Sequence, residues 1–167
     1  MTLEALDETL MRKSTARGDG IFHSSLFFKG KTMLIVVHSL WGLTIATQTQ
    51  NPILLFLGGV GGHILLDVIP HRDLTTIGQV IIDIFFAASL SFLLMKIFSL
   101  NLIFAWSVLF STLPDVDVAI RYFGKGKGIY FPSHLPSWHG NLHSPLGILI
   151  NLLVGLALLV IFLILKK

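Results

Sequence analysis

The chain has 167 residues, enough for one domain, of which 53% are hydrophobic and only 13% charged, at a mean hydropathy of +0.80. This balance excludes an ordinary water-soluble domain and, with its long apolar runs, points to an integral membrane protein whose first partner is the lipid bilayer. The absence of cysteine excludes disulfides and thiolate metal sites, and a net charge of +3 without a basic, aromatic-interleaved surface makes nucleic acid an unexpected partner.

Residues 1–31 read as a cytoplasmic tail with an interfacial segment. Leu3, Leu6, Leu10 and Met11 stripe one face of a short helix. Ile21 to Phe28 is apolar but broken by His23, Ser24 and Ser25. No signal peptide is expected, because the polar start is long and no small-residue cleavage site follows the first apolar run.

Residues 32–167 predict an all-α, multi-pass transmembrane helical bundle of about five spans. The first runs from Thr32 to Thr47 and contains His38; Gln48 to Pro52 is a tight turn. The second covers Ile53 to Ile69, where Gly58, Gly59, Gly61 and Gly62 allow another backbone to approach closely. A third, Ile77 to Phe98, holds Asp83, and a fourth, Leu102 to Leu113, ends in Pro114-Asp-Val-Asp117. A long loop at 118–143 carries Arg121, Lys125, Lys127, His134, His139 and His143. The last span begins with Ser144 as cap and Pro145 as first helical residue, and reaches Leu165. The first and fourth spans are shorter than the roughly 20 residues a full crossing prefers.

Charge gives the orientation. Arg12, Lys13, Arg17, Lys29 and Lys31 precede the first span, so the N-terminus is expected in the cytoplasm, with the 70–76 and 114–143 loops on that side. The opposite loops, 48–52 and 99–101, carry no basic residue; the terminal pair Lys166 and Lys167 runs against the scheme.

This topology gathers the titratable groups. His63 and Asp67 are four apart and share a helix face. Asp67, His71, Asp73, Asp115, Asp117, His139 and His143 all come to cytoplasmic span ends. His38 is expected roughly 9 Å inside the first span, and Asp83 at similar depth in the third. Every acidic residue after position 20 is an Asp at that end. Imidazole and carboxylate without thiolate suit zinc, manganese or iron. His38, His63, Asp67, Asp115, His139 and His143 are the expected ligands of a divalent metal, zinc first among them. Asp117 and Asp83 are expected as catalytic base or as groups that hold a ligand in place. These donors outnumber one tetrahedral site, which leaves room for two ions and would suit phosphoester hydrolysis. Trp41, Trp106 and Trp138 read as packing or interface anchors. His71 and Asp73 fit the site or a solvated loop equally well.

Two short echoes suggest a duplicated helix pair: His38-Ser-Leu-Trp-Gly resembles His143-Ser-Pro-Leu-Gly, and Pro70-His-Arg-Asp73 resembles Pro114-Asp-Val-Asp117. Leu113-Pro-Asp-Val-Asp117 followed by Gly140-Asn-Leu-His-Ser144 resembles the YdjM-like family of predicted membrane-bound metal-dependent hydrolases. That family pairs a Leu-Pro-Asp-x-Asp segment with a later His-Arg-Gly-x-Thr-His-Ser segment. The resemblance implies that Asp115, Asp117 and His143 belong to the site. The chain departs from the pattern at Trp138, which takes the place of the family's first loop His, and at Leu142, which replaces its Thr. The His63 and Asp67 helix also precedes the Leu-Pro-Asp segment rather than following it.

The resulting expectation is a hydrolase of an ester or phosphoester, including lipid ones, with a metal site at the cytoplasmic face. The alternatives are a small ion or proton transporter using His38, His63 and Asp83 as a relay, and a membrane scaffold with a closed structural metal. A relay needs polar groups beyond mid-membrane, and Lys96 is the one candidate there.

Overall fold

A computed structural model describes residues 34–74, 76–116, 120, 131, 142 and 144–167. The expected tail at 1–31, most of the 118–143 loop, and Asp117, His139 and His143 lie outside the described residues. Among the described residues the chain forms five α-helices and no strand: α1 Ile35–Ala46, α2 Pro52–Val68, α3 Ile77–Ile97, α4 Leu102–Thr112 and α5 Pro145–Leu165.

Local chemistry sets most helix starts. The Asn51 side chain accepts from the backbone N–H groups of Ile53 at 2.9 Å and Leu54 at 3.4 Å, and Pro52 supplies a first residue that needs no N–H partner. Thr76 and Gln79 form a reciprocal capping box at α3. Asn101 caps α4 through the Ile103 N–H. Ser144 occupies the cap position of α5, but its side chain makes no cap bond; Pro145, which lacks an N–H, leaves one donor fewer to satisfy. Helix α1 follows Leu34 and has no local cap. Asp83 of α3 fills the role, accepting from the backbone N–H of Ile35.

Of the five expected spans, two are long and apolar enough to cross a membrane: α3 and α5, at 21 residues each, about 32 Å at 1.5 Å per residue. Helices α1 and α4, of 12 and 11 residues, reach only about 17–18 Å. The difference follows from packing. Helix α1 is the hub and lies against α2, α3, α4 and α5, with Val37, His38, Leu40 and Leu43 on its buried surface. An element enclosed by protein can hand over to loop before it has spanned a hydrocarbon layer.

The molecule is apolar outside and mixed inside. Ile82, Phe85, Phe86 and Phe92 of α3 and Leu152, Leu153, Leu156 and Ile164 of α5 are exposed. Asp83, Ser91 and Asn151 on the same two helices are buried. Apolar faces of this kind are stable against other apolar material and not against water.

Two glycines allow the close packing at the hub. A Cβ on Gly42 would sit 2.5 Å from Ser111 Oγ and 2.7 Å from the Ser107 carbonyl. The Ser107 hydroxyl donates to the Gly42 carbonyl at 2.7 Å, joining α4 to α1. A Cβ on Gly62 would run into the Trp41 indole, whose Nε1–H donates to the Gly58 carbonyl at 2.9 Å. Trp41 is therefore a packing anchor between α1 and α2. Gly62→Ala is expected to expel the indole and destabilise the protein by about 1–3 kcal/mol. Gly61→Ala, with open space around its Cβ, should be neutral or slightly stabilising because alanine favours helix. Thermal unfolding of the two variants in detergent, beside the wild type, checks the contrast.

Candidate metal centre

The antiparallel run of α1 and α2 sets the first turns of α1 beside the last turns of α2. His38 lies one turn into α1, about 5 Å from its start. His63 and Asp67 close α2 on its inner face. All three are fully buried. Asp67 bridges the two histidines: Oδ1 is 3.3 Å from His38 Nε2 and Oδ2 is 3.1 Å from His63 Nε2. The imidazoles stack with centroids 3.8 Å apart and planes 20° from parallel. One donor atom from each residue lies within 4.8 Å of the others.

The His63 tautomer follows from its surroundings. Nδ1 is 2.8 Å from the Ser111 carbonyl oxygen, which only accepts, so Nδ1 carries the hydrogen. Nε2 faces Asp67 and, at 3.8 Å, Asp115 Oδ1. A ring nitrogen and a carboxylate that face one another in a buried site can share a proton or hold a cation between them. Donation of the second ring nitrogen to a backbone carbonyl is also the usual support of a metal-bound histidine. The separations agree with this reading. Nitrogen and oxygen ligands on one tetrahedral zinc ion, each at about 2.1 Å, lie roughly 3.4 Å apart. The chemistry of the donor set, two imidazoles and a carboxylate with a second carboxylate adjoining, therefore fits a divalent ion.

Ser111 reaches His63 because α4 comes close to both neighbours. Besides the Gly42 contact, a Cβ on Gly59 would meet the Ser111 backbone nitrogen at 3.0 Å. Asp115 follows in the turn that closes α4, where the Val116 N–H donates to the Leu113 carbonyl and the Pro114 ring is buried.

Of the six expected ligands, the structure brings His38, His63 and Asp67 together, with Asp115 alongside His63. His139 and His143, and the expected base Asp117, lie outside the described residues. Asp83 lies at the N-terminus of α1 and is the cap of the helix that carries His38. His71 and Asp73 are not solvated: His71 is fully buried and Asp73 is 7% exposed. Two contributors escaped the sequence reading. Ser111 acts through its main chain, which no residue type announces. Asn151 was visible as the one amide in the apolar α5. Comparison of the chain with protein-family models, curated proteins and solved structures returns no match, so the site is read from its own geometry.

Asp83→Ala is expected to leave the first N–H groups of α1 without an acceptor and to cost about 1–2 kcal/mol, while Asp83→Asn, which keeps an acceptor oxygen, recovers part of that loss. Both variants should bind a divalent ion to the same extent as the wild type. Melting temperature measured together with metal content checks this; loss of metal from a well-folded Asp83→Asn would make Asp83 part of the centre itself.

Proposed function

We propose that the protein is a multi-pass membrane hydrolase that uses a divalent metal, zinc in the first instance, to cleave an ester or phosphoester at the cytoplasmic face. The observation that carries this reading is the buried Asp67 carboxylate set between the Nε2 atoms of His38 and His63, with the His63 tautomer held by Ser111. A bound divalent ion would polarise the scissile group and activate water at neutral pH. His38, His63 and Asp67 would hold the ion. Asp115, 9% exposed and beside His63, stands where a carboxylate can orient water or take its proton. Asp117 would serve as a further base. In the cleavage, the water oxygen bonds to the carbonyl carbon or phosphorus and the bond to the leaving oxygen breaks. The proton released by water passes through a carboxylate to that oxygen.

The resemblance of Leu113-Pro-Asp-Val-Asp117 and Gly140-Asn-Leu-His-Ser144 to the YdjM-like family supports the same class of activity, with His143 as a further ligand. The exposed apolar faces of α3 and α5 support a lipid environment and a lipid-borne substrate. The placement of titratable groups disfavours transport. Among the described residues the buried His and Asp side chains gather where α1 and α5 begin and α2 and α4 end, and a proton relay would need them along the whole depth.

Elemental analysis of purified protein is expected to find at least one equivalent of zinc, manganese or iron in the wild type, and loss of it in His63→Ala and Asp67→Asn. Hydrolysis of chromogenic phosphoesters and esters should fall with the metal, by at least a hundredfold. No metal in protein purified without chelator, and none after adding zinc back, would overturn the reading and favour ion or proton transport.

The orientation has its own check, helped by the absence of native cysteine. In intact cells an impermeant maleimide should label Gln50→Cys, in the turn between α1 and α2, and should reach Leu74→Cys only after permeabilisation. Labelling of both from one side would break the proposed topology.

A further inference from the structure

The end of the bundle opposite the metal cluster carries a separate arrangement. The turn between α1 and α2, the start of α4 and the close of α5 meet there around a cleft of about 280 Å³. Its walls include Thr47, Gln48, Thr49 and Gln50 of the turn, Phe104 of α4, and Lys166. Lys166 Nζ stands 5.0 Å from the centre of the Phe104 ring. An ammonium held on a ring face is placed without being neutralised, so its N–H groups remain available to an anion. Thr49 adds a second donor. Its Oγ1 accepts the Asn51 backbone N–H at 3.1 Å, and a hydroxyl that accepts through a lone pair can still donate its hydrogen.

The pattern recurs where α3 closes. A cleft of about 390 Å³ is lined by Phe92, Met95, Lys96, Ser99 and Leu100, and Lys96 Nζ stands 5.5 Å from the centre of the Phe92 ring. Charge at this end has one sign. Residues 46–52, 95–104 and 158–167 contain Lys96, Lys166 and Lys167 and no acidic residue. These lysines sit on the side where the positive-inside pattern expects none. Each cleft also adjoins exposed apolar surface. On α5, Leu165 lines the first cleft and Ile161 lies one turn back on the same face. On α3, Phe92 and Leu93 are exposed beside the second. A ligand that satisfies both features has an anionic head and an apolar tail.

We propose that this end of the bundle binds anionic phospholipid. The headgroup phosphate sits in the cleft of Lys166 and Thr49, with its acyl chains along α5, and a second lipid is seated likewise at Lys96 against α3. The proposal goes beyond the hydrolase reading. It needs the membrane setting and no metal, so either can fail without the other.

The test uses full-length protein in phosphatidylcholine vesicles with a trace of spin-labelled phosphatidylglycerol. Electron paramagnetic resonance reads the motionally restricted share of the label against that of spin-labelled phosphatidylcholine. The wild type is expected to prefer phosphatidylglycerol roughly fivefold, the worth of about one lysine at a membrane surface. Lys166→Gln and Lys96→Gln should each lower the preference by about half, and the double variant should abolish it. Lys167→Gln removes the same charge from an exposed residue outside both clefts and should leave the preference intact. Equal restriction of the two labels in the wild type, or an unchanged preference in the double variant, would overturn the proposal. So would a loss in Lys167→Gln as large as in Lys166→Gln, which would mean diffuse surface charge rather than a built site. Release of the label by millimolar inorganic phosphate would overturn it in favour of a free-anion site.

Discussion

A carboxylate with no access to water must be compensated by its immediate neighbours, and Asp67 imposes that condition on this fold. Each of its oxygens faces the Nε2 of a different histidine, and those histidines come from different helices. Unpaired, such a charge is too costly to bury. The condition therefore ties α1 to α2 at one end of the bundle, and it extends outward through His63 to the main chain of α4 at Ser111. Three helices share one electrostatic arrangement, and the glycines at their crossings exist in that context. With a side chain at Gly42 or Gly59, α4 would stand off and the Ser111 carbonyl would not reach the ring.

The same economy of space explains the uneven helix lengths. Helix α1 is surrounded by the other four, so its ends meet protein. Its first N–H groups find Asp83 on a neighbouring helix in place of a local cap. Helices α3 and α5 lie outside it, run to 21 residues and turn apolar side chains outward. Polar residues on these outer helices point inward and have structural work there: Asp83 caps α1, and Asn151 holds the backbone at Arg72. The proposed membrane setting and the proposed chemistry thus draw on one pattern, an apolar exterior around a polar end.

Much of the fold was legible in the residue pattern. Apolar runs punctuated by Asn51-Pro52, Thr76 with Gln79, Asn101 and Pro145 place four of the five helices, because capping and proline are local effects that do not depend on tertiary contacts; α1 is marked by its apolar run alone. Part of the site was legible as well. The i,i+4 spacing of His63 and Asp67 puts them on one face, and the reversal at Gln48 to Pro52 brings His38 back beside them. The role of Asp83 was not legible, since nothing near it in sequence tells which helix it will cap. The burial of His71 and Asp73 was equally hidden. A Pro-His-Arg-Asp turn fits a solvated loop or a buried site equally well until its tertiary contacts are known, and here Asn151 of α5 holds it at the Arg72 carbonyl, 79 residues away in sequence.

By itself the sequence determined the helical class, the helix positions and the inventory of donors, through hydrophobic runs and local caps that any fold of this chain must honour. The tertiary structure decided which donors meet. It set Asp67 between two imidazoles, fixed the hydrogen on His63 Nδ1 through a backbone carbonyl, and buried His71 in the loop that Asn151 holds at Arg72. The physical reason is that those outcomes depend on distances between helices, which are fixed by side-chain volume at crossings such as Gly42 and Gly62 and are invisible to any pattern along the chain.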